Sequence, residues 1–182
     1  NTAAHRLYEA LGFQSLGAHT AWERPTGFRP QPAAQPGIEI RPARAAEWEE
    51  VFGFVSRYRP EGFGWLKPLR SDDWRPSLSR ALNNFFSGAR EEHWLAAEPV
   101  NNQIVGLAKI DTGFSPSDQI YILIHPDWAS RLERPLLATA LRRLGNRLWG
   151  IRIDHPAGEA ETALQDLGFR RLQTLVWMKK QL

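Results

Sequence analysis

One stretch constrains this chain more than any other, the run from Gln119 to Arg147. Ile120 to Ile124 is unbroken apolar sequence rich in β-branched side chains, the pattern of a strand buried on both faces. Pro126 ends it, because a ring nitrogen cannot donate to a ladder. After a polar loop, Leu136, Leu137, Ala140, Leu141, Leu144 and Leu148 recur at helical spacing. Pro135 suits the first turn of that helix, where a missing N–H costs nothing. A central strand that feeds a helix N-terminus through a short loop is one way to build an anion site.

Composition narrows the classes. No apolar run approaches the roughly 20 residues that span a bilayer, and no basic segment followed by an apolar stretch opens the sequence, so neither membrane nor secretory signal is expected. Cysteine is absent, which excludes disulfides, a thiol nucleophile and cysteine-held metal, and no other metal-ligand spacing is present. The cytoplasm is the expected compartment. The net charge is only +3. Arg142, Arg143 and Arg147 fall on the solvent side of the leucine stripe and read as a solvated face, so no nucleic-acid partner is expected. Most of the eight tryptophans sit in apolar patterns and read as core, with one or two left for pocket lining.

Taken in order, residues 1–11 are amphipathic, with Ala4, Leu7, Tyr8 and Leu11 on one face and Gly12 at the helix end. Phe13–Glu23 suits one or two strands. Residues 26–37 hold Pro30, Pro32 and Pro36 and read as a linker. Beyond it come a strand at Ile38–Pro42 and a helix carrying Trp48, Val51, Phe52 and Val55. A loop with Phe63 and Trp65 follows, then a helix capped by Ser71–Asp73 and running through Leu78, Leu82, Phe85 and Phe86. A hairpin turns at Asn101-Asn102. After the opening stretch come a strand at Ile151–Asp154, a helix over about 158–167 and a last strand at Thr174–Lys179. Leu11-Gly12-Phe13 and Leu167-Gly168-Phe169 form a weak internal repeat 156 positions apart, close to one domain length.

The spacing Asn1-x-x-Ala4-x-x-Leu7-Tyr8-Glu9-x-Leu11-Gly12-Phe13 resembles the closing motif of the GNAT (GCN5-related N-acetyltransferase) superfamily, and the element order from Gly37 onward resembles that family throughout. The resemblance implies an α+β fold, a mixed, mostly antiparallel sheet flanked by helices. It divides the chain into a C-terminal remnant of a first GNAT domain (1–25), a Pro-rich linker (26–37) and a second GNAT-like domain (38–182). It also implies acetyl-CoA as co-substrate and a small-molecule or peptide amine as acceptor. Tyr8 then stands as general acid and Asn1 as its companion in the truncated first domain. A packed amphipathic helix with Tyr8 as a structural residue is the plainer reading.

Within the second domain the family's machinery is altered. A glycine-rich loop after the fourth strand lets GNAT backbones approach a pyrophosphate. Here the small positions are Ser130, Leu132 and Arg134, Glu133 stands where phosphates would lie, and Pro135 removes an N–H. The cofactor-binding candidates are Ile124, for a backbone N–H toward the thioester, with Arg131 and Arg134 as substitute cations. Matching Gly168-Phe169 to Gly12-Phe13 puts Ala157 at the place of Asn1 and Leu164 at that of Tyr8. Asp154, His155 and His125 remain for acid–base work, although histidine before proline at a strand end is commonly structural. Two readings follow: an acyl-CoA-dependent N-acetyltransferase, or a GNAT-shaped domain that no longer loads coenzyme A. Partners on either reading are the amine acceptor and a homodimer mate or first GNAT domain.

Overall fold

The computed structural model describes residues 2–25, 35–60, 69–113, 117–145, 147 and 149–180. Helices are α1 (Thr2–Ala10), α2 (Trp48–Tyr58), α3 (Leu78–Ser87), α4 (Glu133–Leu144) and α5 (Glu161–Asp166). Strands are β1 (Phe13–Arg24), β2 (Glu39–Pro42), β3 (Arg90–Ala97), β4 (Ile104–Thr112), β5 (Ser117–Ile124), β6 (Gly150–Pro156) and β7 (Arg170–Lys180). They form one mixed sheet in the order β2-β3-β4-β5-β6-β1-β7. Every neighbouring pair is antiparallel except β5 and β6.

Helix α4 covers one face of the sheet. Leu136, Leu137, Ala140, Leu141 and Leu144 pack there against Ala108, Ile110, Ile120 and Ile153, with Trp22 of β1 in the same core. On the other face α2 packs Val51, Phe54 and Val55 against Leu95, Ile104 and Leu107. A bulge opposite Ala96–Ala97 lets Val105 join Ala108 and Ile110 on the α4 face while Ile104 stays with the α2 core. Burial of an apolar side chain of this size contributes roughly 1.5–3 kcal/mol, which holds helices this short on the sheet.

Several expectations are corrected. The second helix begins at Leu78, and Ser71–Asp73 is a separate 3₁₀ turn rather than its cap. In α2 Phe54 is buried whereas Phe52 is only half-buried, because Phe54 shares the face of Val51 and Val55. Helix α4 stops at Leu144; Leu148 lies outside the described residues, as do Phe63, Trp65 and the linker residues 26–34. Among the described tryptophans only Trp22 is fully buried. Trp94 and Trp128 pack at the core margin, and Trp149 is exposed.

Strand β1 lies inside the sheet between β6 and β7, and buried Arg24 donates through Nε to the Leu167 carbonyl at 2.7 Å. The two Leu-Gly-Phe turns share one geometry. Gly12 and Gly168 have φ of +84° and +85°, a conformation that suits glycine. Gly12 N–H donates to Glu9 and Gly168 N–H to Gln165, each at 2.9 Å.

Candidate functional site

The parallel pairing of β5 with β6 covers only Ser117↔Gly150 to Ile120↔Ile153. Beyond it β5 stays with β4 up to Gly106↔Ile124, while β6 stays with β1 up to His19↔Pro156. Each strand follows its own antiparallel neighbours, so the sheet splays at the carboxyl ends of its two parallel strands, where open α/β sheets place ligands. A cavity of about 720 Å³ occupies the wedge. This explains why Tyr121, Leu123 and Ile124 are only half-buried despite the apolar run: they face the cavity. Residues 121–124 lie outside the ladder on their β6 side.

One wall carries an ion cluster. Lys109 Nζ lies 3.1 Å from Glu91 Oε1 and 3.2 Å from Asp111 Oδ2. Burial opposes the charge on Glu91, but His93 and Lys109 outweigh it and its pKa falls to about 2. Burial likewise opposes the charge on Lys109, and Asp111 and Glu91 outweigh it, so its pKa rises. His93 Nε2 sits 3.4 Å from Glu91 Oε1 without hydrogen-bond alignment. Its ring stacks on Trp74 at 4.8 Å. Trp74 is thus one of the tryptophans left for pocket lining.

The opposite wall carries Asp154, His155 and Glu159. Burial, helped by nearby His19, lowers the His155 pKa to about 4, so the imidazole is neutral at physiological pH and can accept or donate but carries no charge. His19 is lowered in the same way by burial, against Asp154. Burial and the charge of Glu133 raise the pKa of Glu159. His125 Nδ1 accepts from the Asp127 N–H at 3.2 Å and its ring meets Tyr58 at 4.8 Å, a turn-holding arrangement.

At the head of α4 the anion site is filled by the chain itself. Ser130 takes a left-handed conformation (φ 66°), and its N–H donates to Glu133 Oε1 at 2.5 Å. Glu133 Oε2 is buried with no hydrogen-bond partner among the described residues. Leu132, one of the altered small positions, is turned into the core and fully buried. The remaining candidates are spread out. Arg131 stacks on Trp128 at 4.2 Å, Arg134 pairs with Asp166 at 3.1 Å, and Ile124 lines the cavity. Tyr8 is 47% exposed, meets Phe13 edge-on and does not line the cavity; Asn1 lies outside the described residues. These residues do not fit a pyrophosphate, because a buried carboxylate occupies the helix N-terminus and Glu159 adds a second beside it.

Sequence reading missed Glu91, Lys109, Trp74 and Tyr121 as cavity residues. Alternation within β3, β4 and β5 puts Glu91, Lys109 and Tyr121 on one face, and Trp74 reaches it from the turn before α3, but only the strand order puts that face beside a wedge. Among the described residues no group of three or more histidines and carboxylates could hold a metal, and no helix is long and apolar enough to cross a membrane.

No family model matches the chain and no curated protein matches it. Solved structures do. A GCN5-related N-acetyltransferase from Sphaerobacter thermophilus aligns with a TM-score of 0.64 at 18% identity, over 98% of this chain and 56% of that one. A GCN5-related N-acetyltransferase-like protein from Streptococcus suis aligns at 0.62 with 13% identity, over 98% and 68%. A tandem GNAT protein from the clavulanic acid biosynthesis pathway aligns at 0.57 with 13% identity, over 98% and 58%. The chain therefore spans little more than half the length of the Sphaerobacter protein. At these identities the likeness is one of architecture, and the chain has the GNAT fold.

Proposed function

We propose that this chain is part of an acyl-CoA-dependent N-acetyltransferase built from two GNAT units, and that the unit complete here no longer loads acetyl-CoA. The observation that carries the second half is the Glu133 carboxylate, in the first turn of α4, which accepts from the N–H of Ser130 in the loop that precedes the helix. A helix N-terminus that has recruited its own anion offers no charge advantage to an external one. The wedge between β5 and β6 remains open, so the unit keeps a cleft that shapes or receives an amine acceptor while a sister unit, with Asn1 and Tyr8 among its residues, holds the thioester. The cytoplasm is the compartment this chemistry suits. Calorimetric titration with acetyl-CoA is the test. We expect no stoichiometric heat from this chain, and tight one-to-one binding overturns the proposal.

A second reading keeps catalysis in this unit. It is favoured by the cavity of about 720 Å³ with Asp154, His155 and Glu159 on its wall. On that reading the same titration gives saturable binding despite the altered loop.

A further inference from the structure

The ladder between β1 and β7 is centred on His19 opposite Leu175, two residues separated by the same 156 positions as Gly12 and Gly168. Pairs on either side exchange roles under that offset: Ala18 faces Val176, and Thr20 faces Thr174. The irregularities exchange as well. One leaves Leu16 unpaired and the other leaves Leu172, again 156 apart. Each strand therefore treats the other as a copy of itself, about a local two-fold axis.

The environments around that axis are not equal. Residues His19–Arg24 of β1 gain an outer partner in β6 and have Trp22 buried to 1% exposure. The corresponding residues of β7, Leu175–Lys180, lie on an edge of the sheet with no further strand beside them among the described residues, and Leu175 is 48% and Val176 43% exposed. The helices differ in the same sense. On α5 and its turn, Leu164, Leu167 and Phe169 are buried in the core. Their counterparts Tyr8 and Leu11, with Leu7 beside them, are exposed on α1 and its turn, and Phe13, the counterpart of Phe169, is only half-buried. A long unpaired strand next to an uncovered apolar helix face is a surface that proteins rarely leave open.

We propose that the outer edge of β7 from Leu175 to Lys180, together with the Leu7–Tyr8–Leu11 face of α1, docks a second domain of the same fold. A strand of that domain lies along β7 as β6 lies along β1, and its core receives α1 as this core receives α5. A second copy of this chain does not fit, because its β6 is already paired with its own β1 and its core is already closed by its own α5. Under the 156-residue offset the docked strand is the one that leads into α1 in the same polypeptide. The two sheets then exchange strands and form one continuous sheet through the β1–β7 axis. This rests on the two-unit reading above, although not on whether either unit loads acetyl-CoA.

The test places the photo-cross-linker p-benzoylphenylalanine at Leu175 and, separately, at Leu7, in the full gene product expressed in its own host. Cross-linked peptides are then mapped by mass spectrometry. The expected result is an intramolecular product in which both positions join one further GNAT-fold segment N-terminal to residue 1. A dimer-sized product joining β7 to another copy's β7 overturns the proposal, and so does the absence of cross-links at both sites. As a second measurement, Leu175→Lys should lower the melting temperature of the full product but not that of the 182-residue chain; equal effects in both overturn it. Failure here with no acetyl-CoA binding removes only the docking. Acetyl-CoA binding with the expected cross-links removes only the loss of loading.

Discussion

The backbone N–H of Ser130 donates to Glu133 Oε1 at 2.5 Å, so the loop before α4 is tied to a carboxylate of the helix's first turn. Glu133→Gln keeps an acceptor for that N–H and removes the charge. We expect binding of inorganic pyrophosphate to become detectable by calorimetry, with a stability loss of about 1 kcal/mol for the weaker hydrogen bond to a neutral acceptor. A variant that still repels pyrophosphate would show that the loop's shape, not its charge, closes the site.

Two arginines near the end of α4 should behave differently. Arg147 Nε lies 2.7 Å from Asp118 Oδ2, and the Asp118 side chain is 1% exposed. Arg143 pairs with Glu92 at the same distance, yet its side chain is 48% exposed. Arg147→Ala leaves a buried carboxylate unpaired and should cost about 3 kcal/mol. Arg143→Ala should cost under about 1 kcal/mol. Urea unfolding of the two variants checks the contrast, and equal losses would contradict it.

Gly106 faces α4 at close range. A Cβ there would meet Leu136 Cδ1 at 2.9 Å and Ala96 Cβ at 3.3 Å, and both partners are fully buried. Gly106→Ala should therefore destabilise by about 1–3 kcal/mol through overpacking. Pairing it with Leu136→Ala should recover part of that loss in a double-mutant cycle.

Stability should fall in mild acid because of His155. Its pKa of about 4 in the folded chain lies below the ordinary 6.5, so the unfolded chain binds the proton first. The contribution is complete above the ordinary value and is lost as pH falls toward 4, to a limit of about 3 kcal/mol. His19, also lowered by burial, adds in the same direction. His155→Phe should flatten the stability curve over that range, which thermal melts at stepped pH will show.

The strand–loop–helix at Gln119–Arg147 was legible because its pattern is local. A β-branched run, a proline stop and a leucine stripe each state their element without reference to the rest of the chain. The same holds for the paired Leu-Gly-Phe turns, whose glycines do take the left-handed conformation that a helix-to-strand turn requires. Helix ends were less legible. The Ser71–Asp73 cap pattern formed a 3₁₀ turn of its own, separated from α3 by Trp74, Arg75, Pro76 and Ser77.

The candidate site was half visible. That the loop at 129–135 departs from a phosphate cradle follows from side-chain size and charge alone. That Glu133 folds back onto Ser130, and that Leu132 turns inward, depends on the turn at Ser130 and the core beneath it. Among the described tryptophans only Trp22 is fully buried, since burial depends on which surfaces meet rather than on neighbours in sequence.

By itself, then, the sequence determined the elements, the fold and the altered loop, because periodicity and turn chemistry act over a few residues. Only the tertiary structure decided where β1 lies, and with it the wedge and the open edge. Strand order is set by contacts between residues more than a hundred positions apart, as in Thr20 beside Thr174, and no local pattern encodes that choice.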